Sequence, residues 1–177
     1  MAELAQSALA LGLDRECETH LRLERLVLDH QEALARYVRR FLGERDASLD
    51  VVQDVFLAAH RVLRADADRP LTAGWLYKAA TNLAISHLRR RKRRGIAVPL
   101  SEIGAAFSAD ESTAVSLDLQ RALGRLVPEQ LACVMLTAYA GYSSAEAALI
   151  LGISPEAVRQ RVCRAMRTMR SDLRETG

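Results

Sequence analysis

Six residues near the C-terminus carry the clearest chemistry: Arg159, Gln160, Arg161, Cys163, Arg164 and Arg167. Guanidinium forks can pair with guanine edges, glutamine can pair with adenine, and flanking arginines can hold phosphates. At about 100° per residue, Gln160, Cys163, Arg164 and Arg167 share one side of a helix, with Arg159 and Arg161 on its flanks. Val158, Val162, Ala165 and Met169 fall on the other side and can pack inward. A surface helix with solvated arginines would show the same two faces. The residues leading into the helix distinguish the two readings.

Ser143 and Glu146 have the spacing of a capping box at the start of a short helix. Gly152 stands where that helix must end in a left-handed conformation. Ser154 can cap the next helix, with Pro155 in its first turn, where a missing N–H costs nothing. Helix, glycine turn and capped helix make up a helix-turn-helix, whose second helix enters the major groove.

A second cationic cluster, Arg89 to Arg94, reads RRRKRR. Six consecutive charges repel one another, and phosphates would relieve that repulsion while releasing counterions. The run ends a helix that Thr72 can cap. Leu76, Ala80, Leu83 and His87 are expected on its inner face, and Lys78, Asn82, Ile85 and Arg89 on the opposite one. Trp75 and Tyr77 could stack on an unpaired base, or Trp75 could be plain core. His87 reads as a packed histidine, with no partner set around it.

The helix before it, capped by Asp46 or Ser48 and running to about Leu63, is expected to turn Val52, Val55, Phe56, Ala59 and Leu63 inward. Asp50, Asp54, Leu57 and Arg61 then face outward. A leucine among acids suits a docking patch, or a leucine partly covered by a neighbouring helix.

Nothing points to catalysis. The chain lacks a nucleophile–base set, a glycine-rich phosphate cradle and paired carboxylates in a cleft. Cys17, Cys133 and Cys163 are far apart, with no metal-ligand spacing, so they read as thiols in a reducing compartment. We expect no metal, no cofactor and no enzymatic activity. There is no apolar run of membrane-spanning length, and the N-terminus lacks the basic start of a secretory signal. The expectation is a cytoplasmic protein without membrane insertion.

These residues need helices to position them, and the periodicity is helical throughout. A first helix is expected over roughly His20 to Leu42, with Leu26, His30, Leu34, Tyr37, Val38 and Phe41 on one face and Gly43 as its stop. Pro70 marks the next break. The net charge of +3 is modest but uneven: from Gly95 to Gln120 no lysine or arginine occurs, while Glu102, Asp110, Glu111 and Asp118 do. Two basic blocks around an acidic spacer suggest two nucleic-acid contacts joined by a linker. The expected architecture is all-α with two small helical domains: an extension over 1–19, a first domain over 20–94, a linker over 95–116 and a helix-turn-helix domain over 117–177.

Three segments resemble a known family. ERDASLDVVQDVFLAAHRVL (44–63) is similar to the polymerase-binding helix of sigma region 2. WLYKAATNLAISHLRRRKRR (75–94) is similar to the −10 element helix that follows it, and the stretch 123–173 resembles sigma region 4, with a Pro-Glu start and an LGIS turn. Their order and the lack of further regions resemble the extracytoplasmic-function (ECF) group of the sigma-70 family, RNA polymerase subunits that confer promoter specificity. Ser86, Leu131 and Ala147 depart from the usual pattern.

The resemblance implies that Asp50, Val51, Gln53, Asp54 and Leu57 grip the clamp helices of core polymerase. It assigns Trp75, Lys78, Asn82, Arg89, Arg90 and Arg91 to the −10 element, and Arg159, Gln160, Arg161, Cys163, Arg164 and Arg167 to the −35 element. It further implies promoter DNA, the polymerase flap and an anti-sigma factor as partners. A stand-alone regulator using only the helix-turn-helix is the competing reading. It would bind two-fold symmetric operators without polymerase.

Overall fold

In the computed structural model, which describes residues 2–94, 119 and 121–175, with side chains over 15–94, 119 and 121–171, every regular element is helical. The acidic spacer and the charges assigned to it lie outside the described residues.

Helix α1 (Ala2–Leu42) buries Leu34, Tyr37, Val38, Phe41 and Leu42, with Leu26 and His30 half-buried, as the apolar stripe predicts. It starts eighteen residues before the expected His20, with no break at 19/20. The alanine- and leucine-rich start has high helix propensity, and an isolated Gly12 costs only about 1 kcal/mol, too little to end the helix. Gly43 (φ 79°) closes α1 by donating its N–H to the Arg39 carbonyl at 2.8 Å.

Helix α2 (Arg45–Ala65) begins earlier than Asp46 or Ser48 would dictate. Glu44 is its N-cap and makes no side-chain cap bond. Ser48 is buried, and its hydroxyl donates to the Glu44 carbonyl instead. The buried stripe of α2 is Ser48, Val51, Val55, Ala59 and Leu63, and Val52 and Phe56 are only half-buried. Val55, Ala59 and Leu63 are thus buried as expected, while Ser48 and Val51 take the core places expected of Val52 and Phe56. Asp66 ends the helix and accepts the Asp68 N–H on its carboxylate at 3.2 Å.

Helix α3 (Ala73–Arg93) is capped by Thr72, whose hydroxyl accepts from the Trp75 N–H at 3.3 Å. Its buried positions are Leu76, Ala80, Thr81, Ala84 and Arg91, whereas the expected Leu83 and His87 are half-buried. Small residues at 80, 81 and 84 let α1 approach closely. The Thr81 hydroxyl donates to the Tyr77 carbonyl at 2.7 Å, so Tyr37, reaching across, donates its hydroxyl to Thr81 at 2.8 Å. Both buried hydroxyls are therefore satisfied. Burial also pushes the Tyr37 phenol well above its ordinary range.

After a helical turn over 121–124 come α4 (Pro128–Val134), a π-helix (Met135–Tyr139), α5 (Ser144–Leu151) and α6 (Pro155–Glu175). In the π-helix the Ala140 N–H reaches five residues back to the Met135 carbonyl at 2.9 Å. The Thr137 hydroxyl bonds the Cys133 carbonyl at 2.8 Å, a side-chain capture that loosens helical winding. Helices α1–α3 pack on one another, and α4 and α5 each pack on α6. The buried apolar residues of both groups form one continuous cluster.

Candidate nucleic-acid interface

The helix-turn-helix is assembled from local bonds. Ser143 and Glu146 cap each other: the Glu146 N–H donates to the Ser143 hydroxyl at 3.2 Å, and the Ser143 N–H donates to the Glu146 carboxylate at 2.8 Å. Those bonds to Ser143 hold the Glu146 carboxyl below its ordinary range. Gly152 takes the left-handed conformation (φ 68°), and its N–H and that of Ile153 both donate to Ala148, at 2.8 and 3.1 Å. The Ala157 N–H then donates to the Ser154 hydroxyl at 3.1 Å, and Pro155 opens α6. Ser143→Ala should lower unfolding stability by about 1 kcal/mol, measurable by urea titration. No change would mean that the box is not stabilising the turn.

Helix α6 seats Val158, Ala165 and Met169 in the core, with Val162 half-buried. Arg159, Gln160, Cys163, Arg164 and Arg167 are exposed on the other side. Arg159 pairs with Glu156 one turn back, a surface contact worth little that DNA can displace. Arg161 is placed differently. It is half-buried beside Cys133 and Glu129, in a cleft shared with Asn82 and Arg89 of α3. Burial pushes the Cys133 thiol up, against the pull of the Arg161 charge and hydrogen bond.

On α3, Lys78, Asn82, Arg89 and Arg90 are exposed and Trp75 is half-buried. Arg91, which the resemblance assigns to the −10 element with Arg89 and Arg90, is placed apart from them. It is only 8% exposed and pairs with Glu44 at the head of α2. A buried guanidinium with a carboxylate partner braces two helices, and Arg91 is such a strut in this structure. Burial, with Arg91 nearby, lowers the His87 imidazole below its ordinary range. Among the described residues no group of three or more His, Cys, Asp or Glu could hold a metal.

Asp50, Gln53, Asp54 and Leu57 form an exposed strip on α2, and Leu57 is 43% accessible. Val51 does not join them. At 5% exposure it points into the bundle, because it lies one turn from Val55 on the core side. Leu49, 53% exposed, extends the strip. Its spacing of four from Gln53 and eight from Leu57 was the available signal.

Sequence periodicity gave no hint of a seam between the two helical groups. The Tyr77 and Tyr142 rings meet edge to face at 5.5 Å, Tyr37 and Tyr139 lie 6.4 Å apart, and Arg40 sits 4.2 Å over Tyr139. Arg89 pairs with Glu129 at the start of α4. Burial raises the Glu129 carboxyl, but the Arg89 hydrogen bond, a backbone N–H and the Arg89 and Arg161 charges outweigh it, and the net shift is downward. Trp75 and Lys78 share a second cleft with Tyr142, Glu146 and Leu149.

Known proteins match this arrangement in sequence and in fold. The models for Sigma-70 region 2 and Sigma-70, region 4 match residues 26–94 and 116–169. The chain is 32% identical over 155 residues to the ECF RNA polymerase sigma factor SigL of Mycobacterium tuberculosis, covering 84% of this chain and 87% of that protein. It is 36% identical over 155 residues to the RNA polymerase sigma factor CnrH of Cupriavidus metallidurans, covering 79% and 80%. The structure of CnrH in complex with the cytosolic domain of CnrY superposes with a TM-score of 0.65 at 28% identity, over 92% of this chain and 96% of that one. The sigma factor RpoE from Bartonella quintana, solved with the anti-sigma factor NepR, shares the fold at a TM-score of 0.64 and 22% identity, over 85% and 96%. Among the described residues no helix is long and apolar enough to cross a membrane. With both regions in order along most of its length and ECF relatives covering four-fifths of it, the chain belongs to the sigma-70 family as an ECF RNA polymerase sigma factor, a promoter-specific transcription initiation factor.

Proposed function

We propose that the chain divides this work among three surfaces. The α2 strip of Asp50, Gln53, Asp54 and Leu57 docks on the clamp helices of core polymerase. The exposed side of α3 (Trp75, Lys78, Asn82, Arg89 and Arg90) captures the opened −10 strand, with Trp75 as a stacking surface. Helix α6 enters the major groove at −35, where Gln160, Cys163 and Arg164 face base edges and Arg159 and Arg167 hold phosphates. Arg161 faces Cys133 and Glu129, so we assign it to bracing α6 and not to reading DNA. The chain supplies binding surfaces only. Bond making belongs to the polymerase, so the chain itself is no enzyme. Its work on the chromosome places it in the cytoplasm. CnrH has been solved with the cytosolic domain of CnrY, and we extend that pairing to this chain as an anti-sigma partner that covers its DNA-binding faces. The 95–116 stretch would link the two domains, with region 4 also contacting the flap.

The observation that carries the proposal is the exposed arginine–glutamine face of α6, backed by Val158, Ala165 and Met169. The test is in vitro transcription from a promoter library by core polymerase with the purified chain. Initiation should select paired −10 and −35 motifs. Failure to associate with core polymerase, or RNA starts with no promoter selection, refutes it. Arg164→Ala should cost about 1–3 kcal/mol and relax preference at one base pair of the −35 element. Uniform weakening on all sequences would make Arg164 a phosphate contact instead.

A further inference from the structure

Helix α3 is anchored by small and apolar side chains along most of its length and by a charge at its end. Leu76, Ala80, Thr81 and Ala84 are buried on its inner side, and the next buried residue is Arg91. Arg89, Arg90, Lys92, Arg93 and Arg94 around it are exposed. Like charges one turn apart repel, and such a run frays a helix end. The Arg91 guanidinium instead meets the Glu44 carboxylate, 47 residues away at the head of α2. Glu44 breaks a local rule in doing so. It occupies the N-cap of α2, where a side-chain oxygen ordinarily accepts from the first backbone N–H groups, yet it makes no such bond. The pair still suits both helix dipoles, with an anion at the head of α2 and a cation at the end of α3.

The pair also sets an angle. At about 100° per residue, Arg91 lies close to the line of Ala80 and Ala84 and roughly opposite Asn82 and Arg89. Pinning Arg91 to the bundle therefore fixes the direction in which Asn82 and Arg89 point. The docking strip begins alongside. His87, one turn before Arg91, lies within reach of the charges of Arg91, Glu44 and Asp50 together.

We propose that Glu44 and Arg91 are positioning residues for −10 recognition, whose buried pair clamps the last turn of α3 to the head of α2 and so presents Asn82 and Arg89 at a fixed angle to the surface that grips polymerase. This rests on the assignments of α3 to the −10 element and of the α2 strip to core polymerase. Arg91 acts through its neighbours and touches no phosphate.

A clamp and a phosphate contact leave different signatures in salt. The probes are two fluorescent single-stranded oligonucleotides, one carrying the −10 motif that the wild type selects from the promoter library and one scrambled. Each is titrated with holoenzyme assembled from core polymerase and the chain. Glu44→Gln releases Arg91 to bind phosphate, so the slope of log affinity against log salt should steepen by about 0.7 on both probes. Preference for the −10 probe should fall about three- to tenfold, the worth of one misplaced hydrogen bond. Arg91→Met should lose the same preference with the slope unchanged. The double variant Glu44→Gln, Arg91→Met leaves no charge unpaired, so its urea midpoint should recover while its preference does not. Core polymerase affinity should stay near wild type throughout. Glu32→Gln, an equal charge change on the exposed side of α1, should alter nothing. A flatter slope in Arg91→Met makes Arg91 a phosphate contact and overturns the clamp. Preference that returns with stability in the double variant, or is kept in both single variants, overturns it as well, and so does loss of core polymerase affinity in Glu44→Gln. Asn82→Ala separates the two layers of the proposal. If it keeps full preference for the −10 probe, the assignment of α3 has failed, whereas its loss of preference with both clamp variants unaffected refutes the clamp alone.

Discussion

Leu57→Asp is expected to abolish association with core polymerase while leaving the chain folded. Leu57 is the large apolar side chain in the middle of the exposed acidic strip on α2, and its 43% accessibility means that the free bundle already tolerates it in water. A carboxylate there costs the isolated protein almost nothing. In the proposed complex it would replace a buried apolar anchor with an unpaired charge. Anchors of this kind carry about 2–4 kcal/mol when truncated, so the dissociation constant should rise roughly 30- to 1,000-fold. Fluorescence titration with core polymerase reads the loss, and an unchanged melting temperature shows that folding is intact. Transcription at the wild-type level by this variant would remove the docking strip from the mechanism.

Six residues earlier on the same helix, Val51→Asp is expected to do the opposite. Val51 is 5% exposed and belongs to the stripe with Val55, Ala59 and Leu63. A carboxylate there is an uncompensated buried charge, which costs about 3–5 kcal/mol beyond the lost apolar contact. That is a large share of the about 5–15 kcal/mol that holds a domain together. The carboxyl escapes part of the cost by staying protonated, so the variant should be least impaired in acid. Urea unfolding followed by far-UV circular dichroism should show the midpoint falling sharply or native structure lost at neutral pH. A variant that stays as stable as the wild type but loses polymerase would return Val51 to the docking surface.

The contrast between these two positions shows where reading the sequence succeeds. Signals carried by neighbours in the chain were legible. Ser143 with Glu146, Gly152, and Ser154 before Pro155 each set a boundary through bonds to residues within four positions, and the structure makes every one of those bonds. The α1 stripe through Leu34, Tyr37, Val38 and Phe41 was legible because polar residues flank it on both sides. On α2 two adjacent valines offer two stripes one residue apart. Val55, Ala59 and Leu63 face inward on either, but the core takes Ser48 and Val51 in place of Val52 and Phe56, and the Glu44 carbonyl satisfies the Ser48 hydroxyl there.

Arg91 was illegible for a different reason. In a run of six cations nothing local marks one as buried, and its partner Glu44 lies 47 residues away. The Tyr77–Tyr142 and Arg89–Glu129 contacts share that character. Each joins side chains that periodicity treats as ordinary exposed or interfacial positions, and only the folded chain brings them together.

The π-helix at Met135–Tyr139 has a consequence for how this chain tolerates change in length. A π-helical turn holds one residue more than regular winding needs, and here that surplus lies just before Tyr139 and Tyr142. Loss of a single residue from 135–139 would let α4 continue as an ordinary helix, because five residues at π winding sweep nearly the same angle as four at about 100° each. Everything beyond would keep nearly its direction, and the tyrosines that follow would still meet Tyr37 and Tyr77. The wide turn works as slack in the chain's length between the two halves. Among natural variants, shortening by one residue should be tolerated at this spot far better than in the regular winding of α3 or α6.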